Sequence, residues 1–257
     1  MKQVAGPRRI AATLGCTLLV WAVAAQQLRP EELRLSQDDR YSLQYSVEWR
    51  LIRAGTALVK WTPESGGGHQ VDMHLESAGV VNKLYRVNDD YRAQLKNGLC
   101  GNTVLFNSEE GKRKRETKIT FDRGKVSYLE RDLITNTTLT KEIQTPPCVF
   151  EYLGALHRLR EMRLEPGQSA TLPITDGKKF ANVKVEAQER EEVKTPAGSF
   201  KTMRYEIFLF NDVIISRKAR MFLWIAEDAR RLPVQMRVRL PLLIGNITLQ
   251  LEKEDRI

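Results

Sequence analysis

Residues 220–240 read RMFLWIAEDARRLPVQMRVRL, and this stretch decides the fold. Apolar and polar residues alternate on both sides of a polar connection, Glu227 to Arg231. Alternation over short runs is typical of β-strands that bury one face, and a short connection favours antiparallel pairing. The stretch therefore predicts a hairpin within an antiparallel sheet.

The same alternation continues through the last third of the chain. The residues predicted to share a face, strand by strand, are Met203, Tyr205, Ile207 and Leu209, then Met221, Leu223 and Ile225, then Leu232, Val234, Met236, Val238 and Leu240, then Ile247, Leu249 and Leu251. Short connections, at 211–212 and 242–245, favour a meander. There is no fixed-period repeat and no strand–helix alternation, which disfavours Rossmann and (β/α)8 architectures.

Upstream, strands alternate with turn signals. Tyr45, Val47 and Trp49 alternate with polar neighbours, and Asn97-Gly98 is typical of a hairpin turn. Another strand is predicted from about His69 to Ser77. The chain from residue 41 onward is therefore predicted to be β-rich.

One helix is predicted among these strands, at about residues 149–162. Its apolar residues recur at three- and four-residue spacing: Val149, Tyr152, Leu153, Leu156 and Leu159. Pro146-Pro147 precedes the helix and Pro166-Gly167 follows it, as start and stop signals. His157 is assigned to the polar, solvated side of this helix. The predicted fold is all-β: a curved antiparallel sheet, as an open barrel or β-spiral, with one packed amphipathic helix.

Residues 1–25 have the layout of a cleaved secretory signal peptide. Basic residues come first, an apolar run spans 10–23, and the small residues Ala24 and Ala25 follow. A run of about fourteen residues is shorter than the roughly twenty that a membrane anchor needs. Lipidation at Cys16 is an alternative, although most of the apolar run follows that cysteine.

Cleavage would leave a lead-in at 26–40, a single β-rich domain at 41–257 and no transmembrane segment. The predicted location is the periplasm. Removing residues 1–25 takes away three positive charges and no negative ones, so the formal net charge falls from +9 to +6. A basic exported protein is suited to anionic lipids, anionic glycans or acidic envelope proteins, and the compartment argues against nucleic acid.

Two cysteines remain after cleavage, Cys100 and Cys148. An even pair in an oxidising compartment predicts a disulfide, with two buried thiols as the alternative.

The sequence carries no Walker loop and no Gly-x-Ser-x-Gly motif. His69, His74 and His157 are scattered, so neither a metal site nor a cofactor is predicted. A non-enzymatic role is favoured. Paired carboxylates cannot be recognised from sequence alone, so a hydrolase of envelope glycans or lipids stays open.

A basic ladder is predicted on the outer face of the last strands. The candidate anion-binding residues are Arg204, Lys218, Arg220, Arg237 and Arg239. With Ile225 opposite Leu232, Arg220 lies across from Arg237. Lys218 then lies across from Arg239. Like charges opposite each other are unfavourable unless an anionic partner neutralises them. The alternative is a solvated face balanced by Glu206 and Glu252.

Two further features have structural alternatives. A curved sheet around a helix can enclose an apolar pocket, for which the candidate residues are Phe150, Tyr152, Leu153 and Leu156. The alternative is that they are core residues. The basic run from Lys112 to Arg115 is interpreted as a solvated hairpin loop.

The order of several short segments resembles a bacterial exported family, domain of unknown function 3108. The matching segments are Tyr45 to Trp49, Ala54 to Ala57, Tyr152 to Arg160, Leu164 to Gly167, Asp176 to Lys178, Thr195 to Lys201 and Trp224 to Pro233. The resemblance spans about 41–252 and implies an exported or periplasmic β-rich protein without an established activity.

The resemblance also implies a general similarity to curved-sheet envelope proteins that include lipoprotein carriers. Members often carry Asp at the start of the helix, where this chain has Glu151. The favoured function is an envelope protein that binds an apolar or anionic envelope component, or a partner protein, through the curved sheet. A hydrolase and a purely structural envelope protein are the alternatives.

Overall fold

The computed structural model describes residues 40–241 and 245–256. The predicted signal peptide at 1–25, the lead-in up to residue 39 and Cys16 lie outside the described residues. Within the described ranges, fourteen strands form one sheet, and all neighbouring strands are antiparallel. This confirms the all-β prediction.

The strands are β1 (Tyr41–Trp49), β2 (Ile52–Pro63), β3 (His69–Ser77), β4 (Val87–Leu95), β5 (Gly101–Glu110), β6 (Arg113–Asp122), β7 (Lys125–Asp132), β8 (Thr137–Gln144), β9 (Ser169–Thr175), β10 (Phe180–Thr195), β11 (Gly198–Ile207), β12 (Arg220–Ala226), β13 (Pro233–Arg239) and β14 (Asn246–Arg256). The helices are α1 (Gly79–Leu84) and α2 (Tyr152–Glu161).

The order of the strands is that of two meanders joined in the middle. Strands β8 to β1 run in sequence, β14 follows β1, and β13 to β9 complete the sheet. Among the described strands, β1 and β14 are the neighbours that lie far apart in sequence. The edges of the sheet are therefore β8 and β9.

The sheet curls until its two halves meet. Phe150, just before α2, forms a bridge with Ile174 of β9. The backbone N–H of Gly101, where β5 begins, donates to the carbonyl of Val149 at 2.9 Å. A Cβ atom on Gly177, in the β9–β10 turn, would lie 2.7 Å from Cδ2 of Tyr128 in β7. These contacts place β9 and the turn after it against the segment before α2 and against β7, which lies next to the opposite edge strand.

Helix α2 fills the concave side of the curled sheet. Its Leu159 is almost fully buried, and Arg160 is also buried. Arg160 donates to the carbonyls of Arg230 and Arg231, each at 2.9 Å. Arg231 in turn donates to the carbonyl of Arg160 at 2.5 Å and to that of Met162 at 2.7 Å. These reciprocal bonds fix the end of α2 to the β12–β13 connection, and they satisfy two buried guanidinium groups.

A second helix, α1, was not expected from the sequence. It is six residues long, contains no buried residue and has no side-chain cap at Ala78. Such a short exposed helix has no apolar stripe that could have revealed it. It precedes β4, which begins at Val87.

Cys100 and Cys148 form the predicted disulfide, with their Cα atoms 5.1 Å apart. The bond links the β4–β5 turn to the segment that leads into α2. It thereby ties the helix to the first meander.

Candidate functional site

Four arginines cover two aromatic rings on the outer face of β11, β12 and β13. The guanidinium carbons of Arg204, Arg220 and Arg239 lie 5.8, 4.9 and 4.8 Å from the ring centre of Phe222. That of Arg237 lies 5.2 Å from the ring centre of Trp224. Both rings are buried. These six residues are called the arginine face below.

The register of the ladder differs from the expected one. Ile225 pairs with Pro233 rather than with Leu232, and a β-bulge between Trp224 and Ile225 shifts the pairing by one further residue, so Arg220 lies opposite Arg239 and Arg237 lies opposite Phe222. The expected pairs of Arg220 with Arg237 and of Lys218 with Arg239 were wrong. Lys218 precedes β12 and is exposed, outside the ladder. A bulge changes how two strands pair, whereas alternation describes each strand by itself. The alternating pattern therefore does not show the bulge.

Acidic residues neutralise only part of the arginine face. Arg220 donates through two nitrogens to Glu206, each at 2.7 Å. Arg204 pairs with Glu189 at 2.7 Å and with Glu191 at 3.3 Å. Within the described ranges, Arg237 and Arg239 have no ion-pair partner. Of the two carboxylates expected to balance the face, Glu206 pairs with Arg220, whereas Glu252 pairs with Arg53 of β2 at 3.1 Å.

The charges of Arg237 and Arg239, the two arginines without an ion-pair partner among the described residues, repel each other. Burial and the neighbouring charge of Arg239 lower the pKa of the Arg237 guanidinium. An anion placed against it would relieve this repulsion. Arg204, Arg220 and Arg239 also line an open groove of about 400 Å³. The groove therefore offers guanidinium donors over an aromatic floor to a ligand from solvent.

An apolar cavity of about 130 Å³ lies between α2 and the concave face of the sheet. Of the four predicted pocket residues, Leu153 and Leu156 line it. Phe150 is instead buried against β9, through its bridge to Ile174. Tyr152 is half-buried and lies outside the lining of this cavity.

The end of the cavity is polar and was missed by the sequence analysis. His157, predicted to be solvated, is buried, with its ring stacked 4.0 Å from that of Trp61. Arg160 donates to the Tyr41 hydroxyl and lies 3.2 Å from Nδ1 of His157. Burial and the charge of Arg160 lower the pKa of His157 well below its usual value, so the imidazole is neutral. Four of the five Arg160 N–H groups are used within the fold, which makes it a structural arginine.

Glu151 caps the start of α2. Its buried carboxylate accepts from the backbone N–H of Leu153 at 2.8 Å, from that of Gly154, and from the Tyr91 hydroxyl at 2.6 Å. Burial raises the pKa of Glu151, while these three hydrogen bonds oppose the rise. The carboxylate at this position therefore orients the helix rather than a substrate.

The described residues offer neither a metal-ligand cluster nor a membrane-spanning helix. Residues 40–241 and 245–256 contain no group of three or more histidine, cysteine or acidic side chains that could hold a metal ion. The helices in this part of the chain are too short or too polar to span a membrane.

A curled β-sheet that holds one helix on its concave side, with arginines stacked on its outer face, defines a β-rich, barrel-like protein. The family model described as "Protein of unknown function (DUF3108)" matches residues 44–252. The chain belongs to this family, as the sequence resemblance indicated. A comparison with curated proteins finds no match.

The solved structures that are similar to the chain include the following two. A β-barrel-like DUF1849 protein from Brucella abortus has a TM-score of 0.54 and 8% identity, over 86% of this chain and 98% of that one. This likeness supports the barrel-like curl of the sheet. A candidate exported protein with a YmcC-like fold from Bacteroides fragilis has a TM-score of 0.38 and 14% identity, over 84% of this chain and 95% of that one.

Proposed function

We propose that this protein is an exported, non-enzymatic envelope protein that binds phosphate or carboxylate groups of an envelope component at the arginine face. The observation that supports this proposal most strongly concerns Arg237 and Arg239. These two arginines have no acidic partner among the described residues, yet their guanidinium groups are held over aromatic rings. Stacking fixes each guanidinium before a ligand arrives, so less conformational entropy is lost on binding.

The size of the inner cavity argues against a lipid carrier. Pockets for small ligands typically measure about 300–1,000 Å³. The cavity under α2 measures about 130 Å³. It is too small for an acyl chain, and its polar end is occupied by the internal bonds of Arg160. The outer groove is the better candidate for a ligand.

Export is supported by the layout of residues 1–25 and by the disulfide, which is typical of oxidising compartments. Export can be tested by expressing the full chain in a bacterial host, separating the periplasmic and cytosolic fractions, and measuring the mass of the product. We expect a periplasmic product that lacks the first 25 or so residues. A full-length cytosolic product would contradict export.

The test of the arginine face is a triple variant, Arg220→Gln, Arg237→Gln and Arg239→Gln. Two probes separate the sources of the anionic group: soluble polygalacturonate, and vesicles containing phosphatidylglycerol. We expect binding to at least one probe to weaken by about tenfold or more, because charge-assisted hydrogen bonds to guanidinium groups are lost.

A matched control removes the same charge elsewhere: Lys118→Gln, Lys141→Gln and Lys194→Gln, all exposed. The control should bind both probes like the unmodified protein. Equal weakening in both triple variants would mean that only net charge matters, and would overturn the proposal. So would unchanged binding in the arginine variant.

A further inference from the structure

Most of the exposed large apolar side chains in the described part of the chain lie along one rim of the sheet. This rim consists of the β1–β2 turn with the first residue of β2 at 50–52, helix α1 with the two residues after it at 79–86, the β5–β6 turn with the first two residues of β6 at 111–114, and the β7–β8 turn at 133–135. The basic run from Lys112 to Arg115 is therefore a loop only at Lys112, and its other residues lie in β6. These segments are called the hairpin rim. Its exposed large apolar residues are Leu51, Ile52, Val80, Leu84, Tyr85, Leu133 and Ile134.

Hydrogen bonds connect these segments into one continuous surface. The N–H of Ala78 donates to the carbonyl of Ala54 at 2.7 Å, and that of Gly111 to the carbonyl of Arg86 at 2.7 Å. The N–H of Leu133 donates to the carbonyl of Lys114 at 2.8 Å. The apolar side chains are therefore held at neighbouring positions of a fixed scaffold.

The β1–β2 turn is the most unusual part of the rim. Arg50 and Leu51 both have positive φ angles, 51° and 67°. Two-residue hairpin turns of this kind favour Asn-Gly, and an ordinary side chain there costs about 1 kcal/mol. Leu51 is also 93% exposed. Neither the turn nor contact with the core accounts for a leucine here, so an external role is the better explanation.

Basic residues surround the apolar ones. The exposed basic side chains of the rim are Arg50, Lys83, Arg86, Lys112, Arg113 and Lys114. Glu109 pairs with Lys114 at 2.6 Å and approaches Arg86 at 3.9 Å. Lys112 and Arg113 have no ion-pair partner among the described residues. The basic run identified in the sequence is thus part of this rim.

We propose that the hairpin rim docks on the surface of an anionic lipid bilayer, with Leu51, Leu84 and Ile134 inserted between headgroups. Exposed apolar residues on separate turns, with exposed lysine and arginine side chains on the same rim, suit a fluid anionic interface. Tyr85, with an apolar ring and a polar hydroxyl, suits the headgroup level. The proposal does not rest on the arginine face, because the two surfaces share no residue.

The test is sedimentation with vesicles of phosphatidylglycerol and phosphatidylcholine in equal parts. The rim variant is Leu51→Asn, Leu84→Ser and Ile134→Ser. The matched control is Leu105→Ser, Leu129→Ser and Leu139→Ser, which removes exposed leucines from strands instead of the rim. We expect the rim variant to bind vesicles at least about tenfold more weakly and the control to bind normally. Equal binding by both variants would overturn the proposal.

Two further measurements separate membrane docking from damage to the fold. The single change Leu51→Asn should leave the protein as stable as before, or more stable, while vesicle binding falls. A loss of stability would show that Leu51 is structural and would count against docking. The rim variant should also bind polygalacturonate normally, since the arginine face is intact. Loss of both activities in the rim variant would mean general damage and would reject rim docking.

Discussion

At the scale of single residues, the start of α2 depends on one buried carboxylate. Glu151 accepts three hydrogen bonds, two from the helix backbone and one from Tyr91. Glu151→Ala would leave these donors unsatisfied. We expect the free energy of unfolding to fall by about 2–3 kcal/mol, measured by urea denaturation.

Glu151→Asp provides the matched comparison, because aspartate is a strong helix cap. We expect a loss of no more than about 1 kcal/mol, since the backbone bonds persist while the reach to Tyr91 shortens. An equal loss in both variants would contradict the capping role.

Asp89 of β4 is a second buried carboxylate, only 4% exposed. Burial and the nearby charge of Glu110 raise its pKa from 3.8 to about 6. The folded protein therefore keeps this proton to higher pH than the unfolded chain. The contribution of Asp89 to stability is most favourable below about pH 4 and declines as the pH rises to about 6.

Asp89→Asn should remove this decline, because the amide carries no charge and its oxygen can still accept from the N–H of Glu109. We expect the variant to be more stable than the unmodified protein above pH 6, by roughly 2 kcal/mol. Urea unfolding at pH 5 and pH 7.5 measures the difference. A variant that is less stable at pH 7.5 would contradict the assignment.

The sequence also gives a wrong environment for two polar residues of α2, His157 and Arg160. Leu153, Leu156, His157 and Arg160 follow the i, i+3, i+4, i+7 spacing of one helix face. The polarity of His157 and Arg160 nevertheless predicts that they face solvent. Internal partners from distant segments, such as Tyr41, make their burial possible, and no local pattern shows those partners.

At the scale of elements, alternation was a reliable guide. The predicted strand from His69 to Ser77 coincides with β3, and the helix predicted at about 149–162 runs from Tyr152 to Glu161. The arginine ladder was predicted only in outline. Its arginines do lie on one outer face. Which arginine of β12 faces which arginine of β13 depends on the register at Ile225 and on the bulge beside Trp224. A bulge depends on how two strands fit, so one strand's sequence cannot reveal it.

At the scale of the whole molecule, the curl of the sheet depends on close contacts between distant strands. Gly177 has a φ of 88°, and a Cβ atom there would meet Tyr128 and Ile119. The sequence predicts a curved sheet but does not show where its halves meet. That information lies in contacts between residues that are far apart in the chain.

Gly177→Ala tests this closure. We expect a loss of roughly 2–4 kcal/mol, because the change combines backbone strain with steric overlap. Amide hydrogen exchange should accelerate in β6 and β7, where the contacts are made. Gly167→Ala is the control, since Gly167 has a φ of 84° but nothing within 4 Å of the added atom. Similar effects of both changes would mean that backbone strain alone is responsible.

The pairing of β1 with β14 has a consequence for how the protein is made. Strand β14 lies between β1 and β13, and without it the sheet is two separate meanders. Residues 246–256 leave the ribosome after strands β1 to β13 have all been made. The emerging chain therefore cannot join the two meanders until β14 has been synthesised. The export proposed above would benefit from this delay, because a chain whose sheet is still open can be threaded through a narrow translocation channel.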